Sequence, residues 1–178
     1  MTKIYETNNF TPETKITNQV QLVRHYELGE ESMIWDVVFT STHKTIAKDY
    51  HSDLIERWAP RNYNMMEWTK RLVKTNPFVC LIDQKIVGMA EIEKNGFIHY
   101  FYTHPDFQGK GVGKSLLAAI ELQASRSGLK IIFADVSLTA KGFFHSQGFI
   151  VKESKSNIIL GHSAPNFRME KKLNNQDE

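Results

Sequence analysis

The spacing of apolar and polar positions changes along the chain, and each change marks an element. Val20, Leu22 and Arg24 alternate with Gln21, Val23 and His25, which predicts a short first strand. Residues 30–41 read as a helix with Met33, Ile34, Val37 and Val38 on one stripe. A shorter helix over 52–58 opens at a Ser or Asp cap and stops ahead of Pro60. Residues 65–74 are amphipathic through Met66, Thr69, Leu72 and Val73.

The pattern then turns to strands. Segments 78–82 and 86–92 flank Asp83-Gln84-Lys85 and read as a hairpin, and Asn95-Gly96 signals a second turn. An aromatic-rich strand over 97–103 ends at His104-Pro105. The strongest helix covers 111–127, with Leu116, Leu117, Ile120 and Ala124 facing inward and Gly128 as its stop. The apolar run 130–136 predicts a fully buried strand, 138–147 a helix stopped at Gly148, and 149–159 with 166–173 a closing hairpin across a loop at 161–165. No repeat or linker interrupts this order. One α/β domain is expected over 20–173, between a polar extension at 1–19 and a frayed tail at 174–178.

Composition narrows the classes. With 178 residues, 41% hydrophobic and 24% charged, the chain reads as a globular domain able to bury a sizeable core. Its net charge of +2, with Lys and Arg spread along the chain, gives no nucleic-acid footprint. The single cysteine, Cys80, cannot form an internal disulfide and reads as a small core residue. No apolar run approaches the ~20 residues needed to cross a bilayer, and residues 1–19 lack the apolar stretch of a secretory signal. A soluble cytoplasmic protein is the expectation. The seven histidines show no H-x-x-x-H or clustered Cys/His spacing, so no metal site is expected. No nucleophile elbow leads into a Ser-His-Asp or Cys-His arrangement, which argues against a hydrolase.

The chemistry concentrates in Gln108-Gly109-Lys110-Gly111-Val112-Gly113, a glycine-rich turn between a strand and the strongest helix. Backbone N–H groups at a helix start lack intrahelical partners, and the helix dipole adds positive potential there. Glycines let a ligand approach the backbone closely, so the turn suits a phosphate or pyrophosphate. Two familiar phosphate loops fail by counting. A P-loop ending at Gly113-Lys114-Ser115 needs glycine at position 108, which is Gln108. The G-x-G-x-x-G fingerprint would need its last glycine at Lys114 or Leu116.

The pattern that does match is Q/R-x-x-G-x-G/A, realised by Gln108, Gly111 and Gly113 after Tyr102-Thr103-His104-Pro105-Asp106-Phe107. It resembles the acetyl-CoA motif of the GNAT N-acetyltransferase superfamily. Downstream, Ala140, Phe143, Phe144, Gly148 and Phe149 resemble that family's A-x-x-F-[YF]-x-x-x-G-F segment, and the resemblance extends upstream through the 79–91 hairpin. It implies a single-domain α/β fold whose mixed, mostly antiparallel sheet of about seven strands splays at its centre and is flanked by helices. The implied activity moves an acetyl group from acetyl-CoA to a primary amine of a small molecule or peptide, by direct attack and without a covalent enzyme intermediate. No metal, nucleic acid or membrane is implied, and a homodimer is compatible with it.

Acetyl-CoA would lie between the strands at 97–103 and 130–136. Main-chain groups along Phe101, Tyr102 and Thr103 would hold the acetyl carbonyl and pantetheine arm. Amides of Gln108, Gly109, Lys110, Gly111, Val112, Gly113 and Lys114 would take the pyrophosphate, with Ser137 and Phe144 also at the cofactor. The family often places a carboxylate base where this chain has Phe97. Alternation puts Phe97, His99 and Phe101 on one face, so His99 becomes the candidate base, with Glu91 and Glu93 the fallback through a water. The family's tyrosine proton donor falls on Phe144, leaving Tyr100, Tyr102, Ser137 or water for that role. His51 and Trp58 lie where similar proteins build the acceptor wall, although Trp58 reads first as core. These two departures keep a non-catalytic acyl-CoA-binding module open as a second reading. A third reading, acetylation of aminoacyl-tRNA, would favour a strongly basic face that a net charge of +2 does not suggest.

Overall fold

The computed structural model describes residues 21–173, so the expectations for 1–19 and for 174–178 lie outside the described residues. In chain order the elements are β1 (Gln21–His25), α1 (Glu31–Lys44), a 3₁₀ turn (Ile46–Lys48), α2 (Ser52–Trp58), α3 (Met65–Thr75), β2 (Phe78–Ile82), β3 (Lys85–Ile92), β4 (Phe97–Thr103), a second 3₁₀ turn (Pro105–Phe107), α4 (Val112–Arg126), β5 (Ile131–Ser137), α5 (Lys141–Ser146), β6 (Ile150–Ile159) and β7 (His162–Lys172). No helix among the described residues is long and apolar enough to cross a membrane.

Local chemistry sets several boundaries. Asn64 caps α3 by accepting from the N–H groups of Met66 and Glu67. At α2 the cap is His51, whose Nδ1 accepts from the Asp53 N–H at 3.3 Å, rather than the expected Ser or Asp. Asp83 and Gln84 both take left-handed backbone angles, so two residues close the β2–β3 hairpin and Lys85 already belongs to the strand.

The strands form one sheet in the order β1-β2-β3-β4-β5-β7-β6. Every neighbouring pair is antiparallel except β4 with β5. That parallel pair holds only at Phe97↔Phe133 and Ile98↔Ala134, after which the two strands part. Seven strands opened at the centre match the expected architecture.

Each face of the sheet carries its own core. One contains Leu116, Leu117 and Ile120 of α4 with Phe144, Ile132 and Met169; the other contains Ile34, Val37 and Val38 of α1 with Trp68 and Leu72 of α3. A small third cluster joins Tyr50, Leu54 and Ile55 to Ala164 on β7. Cys80 is free and buried, as its apolar run predicts, and burial pushes its thiol pKa up.

One glycine fixes where α4 sits. A Cβ on Gly88 would lie 2.6 Å from Val112 Cγ1, 2.9 Å from Leu116 Cδ1 and 3.2 Å from the Tyr102 carbonyl oxygen. The first turn of α4 therefore rests directly on the backbone of β3. Gly88→Ala is expected to destabilise the fold by ~1–3 kcal/mol, the usual cost of overpacking. Thermal denaturation checks this, and an unchanged Tm would show that the helix can shift at no cost.

Several sequence expectations need correction. The apolar side of α3 is Trp68 and Leu72, an i, i+4 pair, whereas Met66 and Val73 are exposed. Trp68 sits at the centre of that face and donates its indole N–H to the Glu31 carbonyl at 3.0 Å. Met33 is also exposed, beside a stripe that otherwise holds. β5 is not fully buried: it alternates, with Ile132, Ala134 and Val136 packed into the core that holds α4 and Phe144 of α5, and with Ile131 and Asp135 exposed. The helix expected over 138–147 shortens to Lys141–Ser146. The loop expected at 161–165 is mostly strand, since Leu160 and Gly161 make the turn and Pro165 lies one residue before the first β5 partner, Asn166.

Candidate active site

The parting of β4 from β5 opens a cavity of about 780 Å³. At one end lies the start of α4. Gly111 takes a left-handed φ of 84° there, and no side chain caps the helix. The N–H groups of its first turn are thus left for a ligand. Gly109, Val112, Gly113 and Lys114 line the same end, while Lys110 is held over the Phe107 ring at 4.5 Å, outside the lining. Gln108 also lines the cavity, and its amide donates to Thr45 Oγ1 at 3.3 Å, tying the turn to the segment after α1. Gly113 has a packing reason of its own, because a Cβ there would meet the Phe143 ring at 3.0 Å.

Along the floor, β4 presents backbone to the gap. His104 N–H donates to Val87 on the β3 side at 2.8 Å. Backbone alternation then turns the N–H of Thr103, and of Phe101 two residues earlier, toward the edge that β5 has left. Phe101, Tyr102 and Thr103 all line the cavity, as do Ser137 and Phe144. Ser137 Oγ accepts from Ala140 N–H at 3.2 Å, and Phe144 is a buried ring packed against Phe101 and Phe149.

The face assignment along β4 needs correction. Between the pairs Ala90↔Phe101 and Ile92↔Ile98, Glu91 alone on β3 opposes His99 and Tyr100 on β4, so β4 carries a bulge. Ile98 and Phe101 pack into the α4 core, while Tyr100 and Tyr102 pack toward α1 and α3. Phe97, His99 and Phe101 therefore do not share one face. His99 stacks on Tyr100 with centroids 5.1 Å apart and still lines the cavity. Its Nδ1 lies 3.5 Å from Glu93 Oε1, both side chains being 43% exposed.

Glu91 behaves differently from Glu93. It is 1% exposed, its Oε1 pairs with Arg71 Nη2 at 2.6 Å, and it does not line the cavity. Of the two β4 tyrosines, Tyr102 is the one that reaches the cavity; burial first, then Tyr100 nearby, pushes its pKa up to about 12. Tyr100 is also raised, by burial, but lies outside the lining.

At the far end stand Tyr50, Asp135 and Asn166, which sequence reasoning missed, beside Trp58, which the family resemblance placed near the acceptor wall. Tyr50 donates its hydroxyl to the Pro165 carbonyl and accepts from Leu138 N–H, both at 2.7 Å, which joins three walls. Trp58, read first as core, is half-buried and forms part of the cavity wall with its ring edge-on to Tyr50 at 5.0 Å; His51 is not in the lining. Asp135 carries a bidentate bond from Arg168 (2.7 and 2.9 Å) and one from Lys155 (3.2 Å), and the Arg168 bond lowers its pKa. Asn166 leaves Oδ1 buried with no partner. Asp135, an acid inside an apolar strand, was the one visible signal among these.

Among the described residues two groups of three metal-ligating side chains come together: His51, Asp53 and His162, and Glu91, Glu93 and His99. In the first, the imidazoles stack at 3.5 Å and 10°. Ring lone pairs lie in the ring planes, so one ion cannot sit in both nearly parallel planes, and that arrangement does not fit a shared metal. In the second, Glu91 is already committed to Arg71.

The sequence model of the acetyltransferase (GNAT) domain family matches residues 46–173. The N-acetyltransferase YafP of Escherichia coli (strain K12), itself uncharacterized, is 28% identical over 85% of this chain and 95% of its own length. The crystal structure of a GCN5-related N-acetyltransferase from Rhodopseudomonas palustris superposes with a TM-score of 0.79 at 27% identity, covering 85% of this chain and 95% of the other. The PaiA N-acetyltransferase of Thermoplasma acidophilum, solved in complex with coenzyme A, shares the fold with a TM-score of 0.73 at 21% identity, covering 86% and 99%.

Proposed function

Since the chain belongs to the acetyltransferase (GNAT) domain family, we propose that it moves an acetyl group from acetyl-CoA to a primary amine by direct attack in a ternary complex. The observation that carries this reading is a strand, β4, that loses its parallel partner after Ile98 and leads through a glycine turn to an uncapped helix start. Coenzyme A bound to the similarly folded PaiA protein supports the same ligand here.

In this reading the pyrophosphate lies against the backbone N–H groups of Gly109, Gly111, Val112, Gly113 and Lys114, with the Lys114 ammonium beside it. The pantetheine arm follows the opened edge of β4. A main-chain N–H at Phe101 or Thr103 meets the thioester oxygen and holds its charge as the tetrahedral intermediate forms. The neutral amine nitrogen bonds to the acetyl carbon, the C–S bond breaks with its electron pair going to sulfur, and the proton that the nitrogen sheds on becoming an amide passes through water to the thiolate.

His99 takes the proton from the ammonium. Glu93 faces its Nδ1, so Nε2 is the atom left for the substrate. Glu91, held by Arg71 and away from the cavity, is not given this role. With its pKa near 12, Tyr102 stays protonated at neutral pH. Proton transfer from it to a thiolate of ordinary pKa ~8.5 is uphill, so it donates a hydrogen bond to the leaving sulfur while water relays the proton from the amide nitrogen.

Acetyl-CoA at about 100 times its Kd is expected to stabilise the protein by ~2.7 kcal/mol, a Tm rise of about 5–10 °C, while ATP and NAD at equal concentration leave Tm in place. Stabilisation by NAD and not by acetyl-CoA would overturn the cofactor assignment. Release of free thiol with an amine panel then separates an enzyme from a module that only binds the cofactor.

A further inference from the structure

We propose that the acceptor is a small monoamine with an apolar body and no carboxylate, a reading that rests on the acetyltransferase activity proposed above. The end of the cavity away from α4 is walled by Tyr50, Trp58, Ile46, Ile159 and Ala164, which together form a separate hydrophobic cluster. Tyr50 spends both sides of its hydroxyl on backbone partners, so it offers the substrate only its ring. Two aromatic rings and three aliphatic side chains make a surface for a hydrocarbon or aryl group.

Charge decides what that group can carry. Lys114 and Asp135 are the only permanently charged residues in the lining among the described residues, and Lys114 belongs to the cofactor end. Arg168 and Lys155, the cations behind Asp135, both bind its carboxylate. A substrate carboxylate would therefore be taken out of water with no cation to meet it, which is costly. A polycation fares no better, because the one acid present is already neutralised. The neutral anchor is Asn166, whose amide leaves Oδ1 buried and unpartnered opposite Ser137. An amine N–H is a donor that satisfies it.

The test compares kcat/KM, by thiol release at saturating acetyl-CoA, for phenethylamine, phenylalanine, spermidine, kanamycin and a short peptide with a free α-amine. Phenethylamine is expected to exceed phenylalanine, which differs only by the carboxylate, on the order of 100-fold, and to exceed both polycations and the peptide. Trp58→Ala is expected to raise its KM about tenfold with the acetyl-CoA Kd unchanged, and Trp58→Phe to recover most of the loss. Equal or better turnover of phenylalanine, the polycations or the peptide overturns the proposal and leaves the acetyltransferase reading standing. Acetyl-CoA binding with no acceptor turned over overturns both.

Discussion

His99→Ala is expected to lower kcat/KM by ~10²-fold or more, the usual scale for losing a positioned base. An alkyl amine has a pKa near ~10.4, so about one molecule in a few thousand is neutral at pH ~7 and able to attack. His99 lines the cavity, and Glu93 Oε1 lies 3.5 Å from its Nδ1, placed to stabilise the imidazolium once the proton has moved. Acetyl-CoA affinity should hardly change, because the β4 contacts to the cofactor are proposed to be main-chain. The deficit should shrink as pH rises toward the amine pKa, where the free amine no longer needs a base. A uniform loss at every pH with a lower Tm would make His99 a packing residue and return the search to Glu93 or a bound water.

Arg71→Ala is expected to cost ~3–5 kcal/mol of stability, the scale for breaking a buried ion pair by removing one partner. Glu91 is 1% exposed, Arg71 Nη2 is its only hydrogen-bond donor among the described residues, and its Oε2 already lacks a partner. The guanidinium also lies over the Tyr100 ring at 4.6 Å, and that ring stacks on His99. For a chain of this size the loss corresponds to a Tm drop of roughly 6–20 °C. The double variant Arg71→Met with Glu91→Leu should recover much of the stability, since a packed apolar pair replaces the ion pair. A Tm within a degree of the parent for Arg71→Ala alone would mean that the carboxylate is solvated after all.

Gly111→Val would place a side chain where the phosphates are proposed to lie. At φ 84° a β-branched residue is strained whatever space surrounds it, and here a Cβ would meet only Gln21 Oε1 at 3.9 Å. The substitution therefore disturbs the helix start as well as the ligand, and Lys114→Glu, on a surface already lining the cavity, is the cleaner probe of the cradle.

Features that depend on near neighbours in the chain were legible in the residues themselves. The Gln108–Gly113 turn, the bounds of α2 and β4, the β2–β3 hairpin and the inward stripe of α4 follow from local backbone preference and from periods of 2 and 3.6 residues. What required tertiary structure was set by long-range geometry. The β4 bulge, where His99 and Tyr100 oppose Glu91 alone, depends on pairing between strands, and it moved Phe101 to the face opposite Phe97 and His99. The separate fates of Glu91 and Glu93 depend on Arg71, twenty residues away on α3. The acceptor wall joins Tyr50 and Trp58 to Ala164 and Asn166, more than a hundred residues later, through contacts that no local pattern encodes. Side-chain period records which way a residue points within its own element, whereas a site is made where elements meet.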